Sequence, residues 1–327
     1  MKSRKKQIVF LICAAVLVVG VVAFLIIANP GDLFPGTYTE NERDNLIVYG
    51  GKKYEYNEHL SNYLFVGIDT REKVETYETQ EDAGQADAIY LVSYNRVENT
   101  VQCLSIPRDT MATIHVYSPD GTDLGYSENH INLQYAFGDG KRESCQLMKT
   151  AVSTMLYDLP IQGYCSVNMD GIPIAVEVLG GVDLVVPDDS LEAVNPEFGQ
   201  GEAVTITKAN AEQFVRYRNT EITHSAITRT NRQKVFLKAF AEKANEKAGQ
   251  ESELIVNMYE SLKPYMVTNI NNDVFAKLLQ AKYDSKAGML DVPGETVAGA
   301  NFDEFHIDET QLYELILNMF YKEVQDD

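Results

Sequence analysis

Four charged residues stand at the ends of short apolar runs in this chain, and their placement limits the folds that it can adopt. Asp69, Arg108 and Asp109 follow such runs, and Asp87 precedes one. Arginines recur in a second stretch, between residues 216 and 233. Mixed α/β folds place ligand sites where strands and helices end, and charges at such ends are typical of phosphate chemistry. The pattern therefore predicts an α/β fold that brings these charges together in an anion site.

The N-terminus combines a basic tail with a long apolar segment. Four of the first six residues are Lys or Arg, and the run 8–28 that follows has no charge. About 20 apolar residues span a bilayer as a helix, and basic residues on one flank hold that end in the cytoplasm. A cleaved signal peptide has an apolar core of only about 7–15 residues and a small-x-small cleavage site. We therefore expect a cytoplasmic tail over 1–7, an uncleaved signal anchor over 8–28, and an extracellular remainder, as in a single-pass type II membrane protein.

The charge and cysteine content exclude some classes of function. The formal net charge is −20, although the first 30 residues contain only basic charges. Nucleic-acid binding needs basic stripes, which so acidic a chain lacks, so we expect no nucleic-acid partner. Of the four cysteines one lies in the apolar segment, and the others have no C-x-x-C or Cys/His metal spacing. A compact anion could still bind where the arginines converge.

The hydrophobic periodicity predicts interleaved strands and helices behind a linker over 29–60. Thr230 to Gln233 fits a capping box, which would open a helix that ends near residue 248. Residues 117–129 read as a loop. Interleaving predicts a three-layer α/β/α sandwich behind a single transmembrane helix. The main domain is expected over 61–248, followed over 249–327 by a helical extension that packs on this domain or continues it. The predicted strands are 63–68, 88–94, 100–106, 163–169 and 182–186, and the other predicted helices are 133–137, 143–157, 171–179, 208–217, 273–282 and 310–324.

Seven short segments, taken in order, resemble the LytR-CpsA-Psr family of cell-wall glycopolymer transferases. Each segment is weak alone, but their common order over residues 62–240, behind a signal anchor, is specific. The segments are Asn62–Arg71, Ala86–Ile89, Ser105–Thr110, Ile131–Ala136, Gly180–Val182, Val215–Arg218 and Arg229–Gln233.

The resemblance implies an enzyme on the outer face of the membrane of a Gram-positive-type bacterium. Such enzymes move a glycopolymer, either teichoic acid or a capsule-like polymer, from a polyprenyl-pyrophosphate carrier to peptidoglycan and leave polyprenyl phosphate. The sequence departs from the family in one loop, because 223–229 lacks the usual Gly-Asp before the arginine and Glu221 is the nearest carboxylate. The spacer between Asp69 and Asp87 is also long and acidic.

The chemistry of a pyrophosphate suggests roles for the charged residues. A Mg²⁺ cofactor would be held by Asp69 and Asp87, because magnesium is bound through one or two carboxylates together with phosphate oxygens and water. Arginine binds two phosphate oxygens at once and stays charged. The predicted catalytic residues are Arg108, Asp109, Arg216 and Arg218, and the predicted pyrophosphate ligands are Arg71, Arg108, Arg216, Arg218, Arg229, Arg232 and Gln233.

Several assignments stay open at the level of sequence. Arg216 and Arg218 can reach one phosphate only if their helix ends near Tyr217, and Gln233 would equally serve as the third residue of the capping box. Asp69 and Asp87 are also plausible as turn or capping carboxylates. The general base is either Asp109 or a metal-bound aspartate. A hydrolase that acts on polyprenyl pyrophosphate, or a non-enzymatic binder of lipid-linked polymer, would use the same residues.

Overall fold

The computed structural model describes residues 46–74, 83–219, 225–251, 253–283, 289–299 and 302–324. The chain forms two compact units, a small one that includes residues up to 55 and a large one over 56–322. No helix within the described ranges is both long and apolar enough to cross a membrane. The signal anchor predicted over 8–28 lies outside these ranges.

The strands run in chain order as β1 to β16, and most are short. They are β1 (Ile47–Tyr49), β2 (Lys52–Tyr56), β3 (Leu60–Ile68), β4 (Ala86–Asn95), β5 (Thr100–Ile106), β6 (Met111–Tyr117), β7 (Asp123–His130), β8 (Gly163–Asn168), β9 (Val182–Val185), β10 (Ala203–Ile206), β11 (Met266–Thr268), β12 (Lys282–Tyr283), β13 (Met289–Asp291), β14 (Gly294–Ala298), β15 (Asp303–Ile307) and β16 (Tyr321–Val324).

The α-helices lie between these strands and after them. They are α1 (Arg142–Met155), α2 (Gly171–Leu179), α3 (Ala211–Arg216), α4 (Ser225–Ala248), α5 (Leu254–Leu262), α6 (Asn272–Gln280) and α7 (Glu309–Phe320). Short 3₁₀ helices cover Ile131–Phe137, Pro196–Phe198 and Lys263–Tyr265.

One sheet in the large unit determines where the charged residues lie. Its strand order is β11-β8-β3-β4-β5-β12, and β13 pairs with β5 beyond the end of β12. Strands β3 and β8 are parallel, whereas β4 is antiparallel to both β3 and β5. The end of β3, the start of β4, the end of β5 and the end of β8 therefore meet at one edge of the sheet, here called the charged edge.

Helices cover both faces of this sheet. Along β3 the side chains alternate, so Leu64 and Val66 belong to a core cluster that includes Met148 of α1 and Leu312 of α7. Tyr63 and Phe65 point the other way, into a second cluster built with α2 to α6. The two clusters, one on each face, confirm the mixed α/β class predicted from the interleaved elements.

Three local predictions differ from the structure. Residues 117–129 are not a loop, because β6 and β7 form an antiparallel hairpin there. The capping box at Thr230 is wrong, because α4 begins at Ser225 and Thr230 lies within it. Strands β11, β12 and β13 follow residue 248 but pair with β8 and β5, so the sheet continues into the segment expected to be a helical extension.

A β-bulge places Asp87 at the charged edge. Gly67 of β3 pairs with Ala88, but the next residue, Ile68, pairs with Ala86, so Asp87 is the extra residue between them. Bulges bend a strand and re-aim a side chain, and they are common beside functional sites. Gly84 leads into this strand with a φ of +78°, and a Cβ there would lie 2.8 Å from Asp69 Oδ1.

We predict that Gly84→Ala destabilises the fold by about 2 kcal/mol, because strain at positive φ adds to a steric clash. The added methyl would lie 2.4 Å from Thr70 Cγ2. Gly121→Ala is the matched control, because Gly121 has a φ of +82° but nothing within 4 Å of the added carbon. Urea denaturation should show a larger loss in free energy of unfolding for Gly84→Ala. Equal losses would contradict the predicted clash.

Candidate active site

The sheet register places Arg108 directly opposite Asp87. Ile89 of β4 pairs with Ile106 of β5, and extending this antiparallel register by two residues brings Asp87 and Arg108 together. The Arg108 guanidinium donates to the Asp87 carboxylate, and its Nε donates to Asp109 Oδ1 at 3.1 Å. A tight turn presents both residues, because the Thr110 hydroxyl and amide both donate to the carbonyl of Pro107.

The charge on Arg108 is stabilised within this group. Burial opposes the charged guanidinium, but Asp87 and Asp109 outweigh burial and raise the pKa of Arg108 above its ordinary value. About a third of the Arg108 side chain, 31%, remains exposed. The structure therefore brings these three predicted site residues together, with a charged and accessible guanidinium at the centre.

Asp69 lies at the same edge and is oriented by the backbone. Its Oδ1 accepts a hydrogen bond of 2.6 Å from the amide of Gln85. The Gln85 side chain accepts in turn from Asn132 Nδ2 at 3.0 Å, and the Asn132 amide donates to the Arg108 carbonyl at 3.2 Å. Asn132 is 1% exposed, and its Oδ1 is buried with no hydrogen-bond partner among the described residues.

The role of Asn132 was missed in the sequence, although the residue belongs to one of the segments that carry the family resemblance. A lone asparagine in an apolar stretch gives no sign of its partners. Its position next to both Gln85 and Arg108 becomes visible only once β4, β5 and the 3₁₀ helix Ile131–Phe137 are packed together. Asn132 therefore links the Asp69 side of the charged edge to the Arg108 side.

Helix α3 ends at a position that matters for the placement of Arg216 and Arg218. Its last residue is Arg216, and Tyr217 has an extended ψ of 133°. Arg216 and Arg218 can reach one phosphate only if the helix ends near Tyr217, and the structure meets this condition. Arg216 Nη1 lies 3.1 Å from Glu212 Oε1.

Arg71 belongs to the same group of ion pairs as Arg216. The Arg71 guanidinium donates to both oxygens of Glu212 and lies 3.1 Å from Asp170 Oδ1. The hydrogen bond from Arg71, followed by the one from Arg216, outweighs burial and lowers the pKa of Glu212. Arg71 and Arg216 thus share one carboxylate.

Arg232 does not face a substrate, which corrects its predicted role as a pyrophosphate ligand. Its side chain is 1% exposed, and its guanidinium donates to the carbonyls of Phe214 and Tyr217 and to the Ser190 hydroxyl. Its donors are thus used within the protein, where they satisfy carbonyls at the end of α3. Arg232 is a positioning residue that fixes the turn carrying Arg216 and Arg218.

Gln233 acts in a similar way from the next position of α4. Its Nε2 donates to the carbonyl of Val215 at 3.1 Å, so it too satisfies the C-terminal end of α3. The proposed alternative, a capping role at the start of its own helix, is excluded because α4 begins at Ser225. The side-chain amide of Gln233 instead forms a hydrogen bond between α4 and α3, and sequence spacing does not reveal this contact.

Arg229 differs from Arg232, because part of its guanidinium is left unsatisfied. Its Nε is buried and has no hydrogen-bond partner in the part of the chain that the structure describes. Burial lowers the pKa of Arg229, and the nearby charges of Arg108 and Arg218 lower it further, against the opposing effect of Asp87 and Asp109. Arg229 therefore lies within electrostatic reach of four other predicted site residues. A buried donor without a partner is costly, and a bound anion would satisfy it.

The carboxylates of this site fit the predicted magnesium ion in their chemistry. Asp69 and Asp87 both lie at the charged edge, and only Oδ1 of each has a protein partner among the described residues. Magnesium is usually held by one or two carboxylates, with the remaining positions taken by substrate phosphate oxygens and water. Within the described ranges no cluster of three or more His, Cys, Asp or Glu side chains offers an all-protein metal site.

The fold and site define a mixed α/β protein in which arginines and aspartates converge at one edge of a sheet. Residues 37–320 match the LytR_cpsA_psr family. The chain therefore belongs to this family, and the resemblance drawn from its sequence is confirmed.

Curated relatives within this family share part of the chain. The TagU polyisoprenyl-teichoic acid–peptidoglycan teichoic acid transferase of Halalkalibacterium halodurans is 32% identical over 176 residues, which cover 54% of this chain and 50% of that protein. The TagU protein of Bacillus cereus is 28% identical over 218 residues, covering 65% and 64% of the two chains. The chain thus spans between about half and two thirds of the length of these relatives.

Solved structures have the same fold. The Lin1025 protein of Listeria innocua superposes with a TM-score of 0.53 and 25% identity, covering 80% of this chain and 97% of that one. TagV of Bacillus subtilis gives a TM-score of 0.58 at 24% identity, covering 80% and 96%. A structure of TagT bound to LI-WTA gives 0.59 at 22% identity, covering 81% and 91%.

We predict that Arg232→Met destabilises the protein by about 3 kcal/mol, because the carbonyls of Phe214 and Tyr217 lose a buried charged donor. Gln233→Met is the matched control, because it removes one neutral hydrogen bond from a less buried side chain and should cost about 1 kcal/mol. Urea denaturation would compare the two. If Arg232→Met costs no more than Gln233→Met, the guanidinium does not hold the end of α3.

We also predict that Arg71→Gln raises the pKa of Glu212 towards its ordinary value of 4.5, because Arg71 is the main cause of the lowering. A carboxyl group with a lowered pKa stabilises the fold above its unfolded-state pKa, and this contribution is lost as pH falls through its folded-state pKa. Carbon-13 NMR titration of labelled Glu212 measures the change. Lys208→Gln, which removes the ion-pair partner of Glu177, is the control and should leave Glu212 unchanged, because Lys208 is not among the groups that shift the pKa of Glu212.

Proposed function

We propose that this protein is an extracytoplasmic phosphotransferase that moves a glycopolymer from a polyprenyl-pyrophosphate carrier to peptidoglycan. The observation that carries the proposal is the gathering of Arg108, Arg218, Asp87 and Asp109 within electrostatic reach of Arg229, whose buried donor has no partner within the described ranges. Family membership and relatives named as teichoic acid transferases support this substrate class.

In the proposed reaction a peptidoglycan hydroxyl attacks the phosphorus next to the sugar. The new bond joins the hydroxyl oxygen to that phosphorus, and the bond from that phosphorus to the bridging oxygen breaks. Polyprenyl phosphate leaves with the bridging oxygen, and the hydroxyl proton passes to a carboxylate, for which Asp109 is a candidate. Arg108, Arg218 and Arg229 would hold the negative charge that develops on the phosphoryl oxygens and the leaving phosphate.

Magnesium is part of the proposal as a cofactor held by Asp69 and Asp87. It would supply additional positive charge to the phosphate oxygens. The hydrogen bond from the Gln85 amide would orient Asp69, and the bulge at Asp87 would turn that carboxylate to the same edge. Both carboxylates would retain their protein contacts through Oδ1 while Oδ2 stays available.

The proposed location is the outer face of the membrane of a Gram-positive-type bacterium, with residues 8–28 as the anchor. The uncharged stretch and its basic flank support this placement. Anchoring would raise the local concentration of a lipid-linked substrate at the site. The anionic character of the remaining chain agrees with a protein that does not bind nucleic acid.

We predict that Arg108→Ala lowers turnover by about 10³-fold, because an arginine that stabilises phosphoryl-transfer charge contributes on this order. The full chain in detergent would be incubated with a polyprenyl-pyrophosphate-linked saccharide, Mg²⁺ and peptidoglycan fragments. Mass spectrometry would follow polyprenyl phosphate and glycan joined to the fragments. Arg142→Ala, on the exposed first turn of α1, is the matched control and should retain activity.

The same assay separates the proposed function from its two alternatives. A joined product that Arg108→Ala abolishes would establish the transferase. Release of lipid phosphate without a joined product would instead indicate a hydrolase of polyprenyl pyrophosphate. Lipid that stays bound with no turnover would indicate a binder, consistent with the loop over 223–229 that lacks the family's Gly-Asp.

A further inference from the structure

A cavity outside the arginine site is lined by lysines, although the chain as a whole is strongly acidic. It has a volume of about 480 Å³ and lies beside β11, the strand at one side of the sheet. Three lysines contribute to its wall, and none of the described residues that line it is acidic. The chain as a whole has a net charge of −20. The lysines are Lys73, Lys141 and Lys263.

The backbone that carries Lys73 is held in place on both sides. The Thr70 carbonyl accepts from the amide of Met169 at 3.1 Å, and the Glu72 amide donates to Asp170 Oδ2 at 2.8 Å. The Val74 amide then donates to the carbonyl of Pro264 at 2.9 Å. These bonds tie the segment 70–74 to the end of β8 and to the turn before β11. Lys73 is thereby fixed at the wall of the cavity.

The other two lysines are positioned by helices. Lys141 is the N-cap residue of α1, where the amides of Glu143 and Ser144 donate to Asp139 Oδ1. Asp139 accepts the backbone amide of Lys141. Lys263 begins the 3₁₀ helix before β11, and its Nζ lies 3.7 Å from Glu260. Neither Lys73 nor Lys141 has an ion pair within the part of the chain that the structure describes.

We propose that this cavity binds a phosphate group in the glycopolymer portion of the substrate. Lysine binds phosphate as a point charge, and like charges facing one concave space repel each other until an anion is present. The volume falls within the range of small-ligand sites, about 300–1,000 Å³. An acidic domain repels a polymer of phosphodiester units, so a local basic site is needed to hold such a polymer. The inference rests on the proposed function.

The position of the cavity fits a part of the substrate that lies away from the reacting pyrophosphate. Arg108 follows β5, and β11 lies four strands from β5 in the sheet, which corresponds to about 19 Å. Two of its lining residues place the cavity at the charged edge. Lys73 follows the end of β3, and Met266 of β11 pairs with Val167 near the end of β8. A polymer whose pyrophosphate lies at Arg108 would reach the lysines with a repeat unit further along.

The test measures binding of a fluorescently labelled, lipid-free glycerol phosphate hexamer to the full chain by fluorescence anisotropy. The triple variant Lys73→Gln, Lys141→Gln, Lys263→Gln should bind about tenfold more weakly, because three ion pairs are lost. The matched control carries Lys238→Gln, Lys277→Gln and Lys322→Gln, which change the net charge equally at exposed lysines that do not line the cavity. Its affinity should change less than twofold, and binding to the unaltered protein should weaken with added salt.

Turnover with two lipid-linked donors separates failure of this inference from failure of the proposed function. One donor carries the glycerol phosphate chain, and the other carries only a neutral disaccharide. The cavity variant should lower kcat/KM for the charged donor alone. If the unaltered protein turns over neither donor, the proposed function fails, while hexamer binding still tests the cavity. The inference would be overturned if the cavity variant kept its affinity for the hexamer, or if the control variant lost affinity equally. It would also be overturned if the cavity variant lost affinity only for a muramyl peptide and not for the hexamer.

Discussion

The antiparallel pairing of β4 between β3 and β5 is the constraint on which the site depends. Because Ile89 pairs with Ile106, the residues two positions beyond this pair, Asp87 and Arg108, meet at the edge of the sheet. A slip of one residue would turn every side chain of β4 to the opposite face and separate them. Burial of Ile89, Leu91 and Leu104 opposes such a slip. The hydrophobic core therefore fixes the geometry of the charged group, although it does not contact a substrate.

The electrostatic design of the site follows from this register. The carboxylates of Asp87 and Asp109 act on the guanidinium groups of Arg108 and Arg229, and Arg218 lies within electrostatic reach of Arg229. The carboxylates keep Arg108 charged despite burial, whereas Arg229 retains a buried donor that has no partner among the residues that the structure describes. An unsatisfied buried donor costs about 1–3 kcal/mol. The fold bears this cost in the free protein, and a bound phosphate would relieve it, so the cost favours binding of an anion.

Much of this arrangement was predictable from sequence because it is local. Asp69, Asp87 and Arg108 stand directly at the ends of apolar runs, and strand periodicity alone brings those ends together once the hairpin is recognised. The contacts of Arg232 and Gln233 could not be predicted, because their partners are backbone carbonyls of α3, which the sequence pattern does not reveal. The hairpin of β6 and β7 was missed because its second strand, Asp123–His130, is largely exposed and polar, so it shows little of the hydrophobic alternation by which strands are recognised.

The segment that follows β3 connects the charged edge with the lysine-lined cavity. Its side chains at every second position are charged: Asp69 at the sheet edge, Arg71 in the ion pairs with Glu212, and Lys73 in the cavity wall. Asp170 holds this segment twice, because it accepts from the Arg71 side chain and from the Glu72 amide. Glu212 occupies Arg71 and Arg216 in the free protein, where a phosphate would compete for the same guanidinium groups. One short, well-anchored segment thus carries Asp69 at the charged edge, Arg71 in its ion pairs and Lys73 in the wall of the cavity proposed to bind a polymer phosphate.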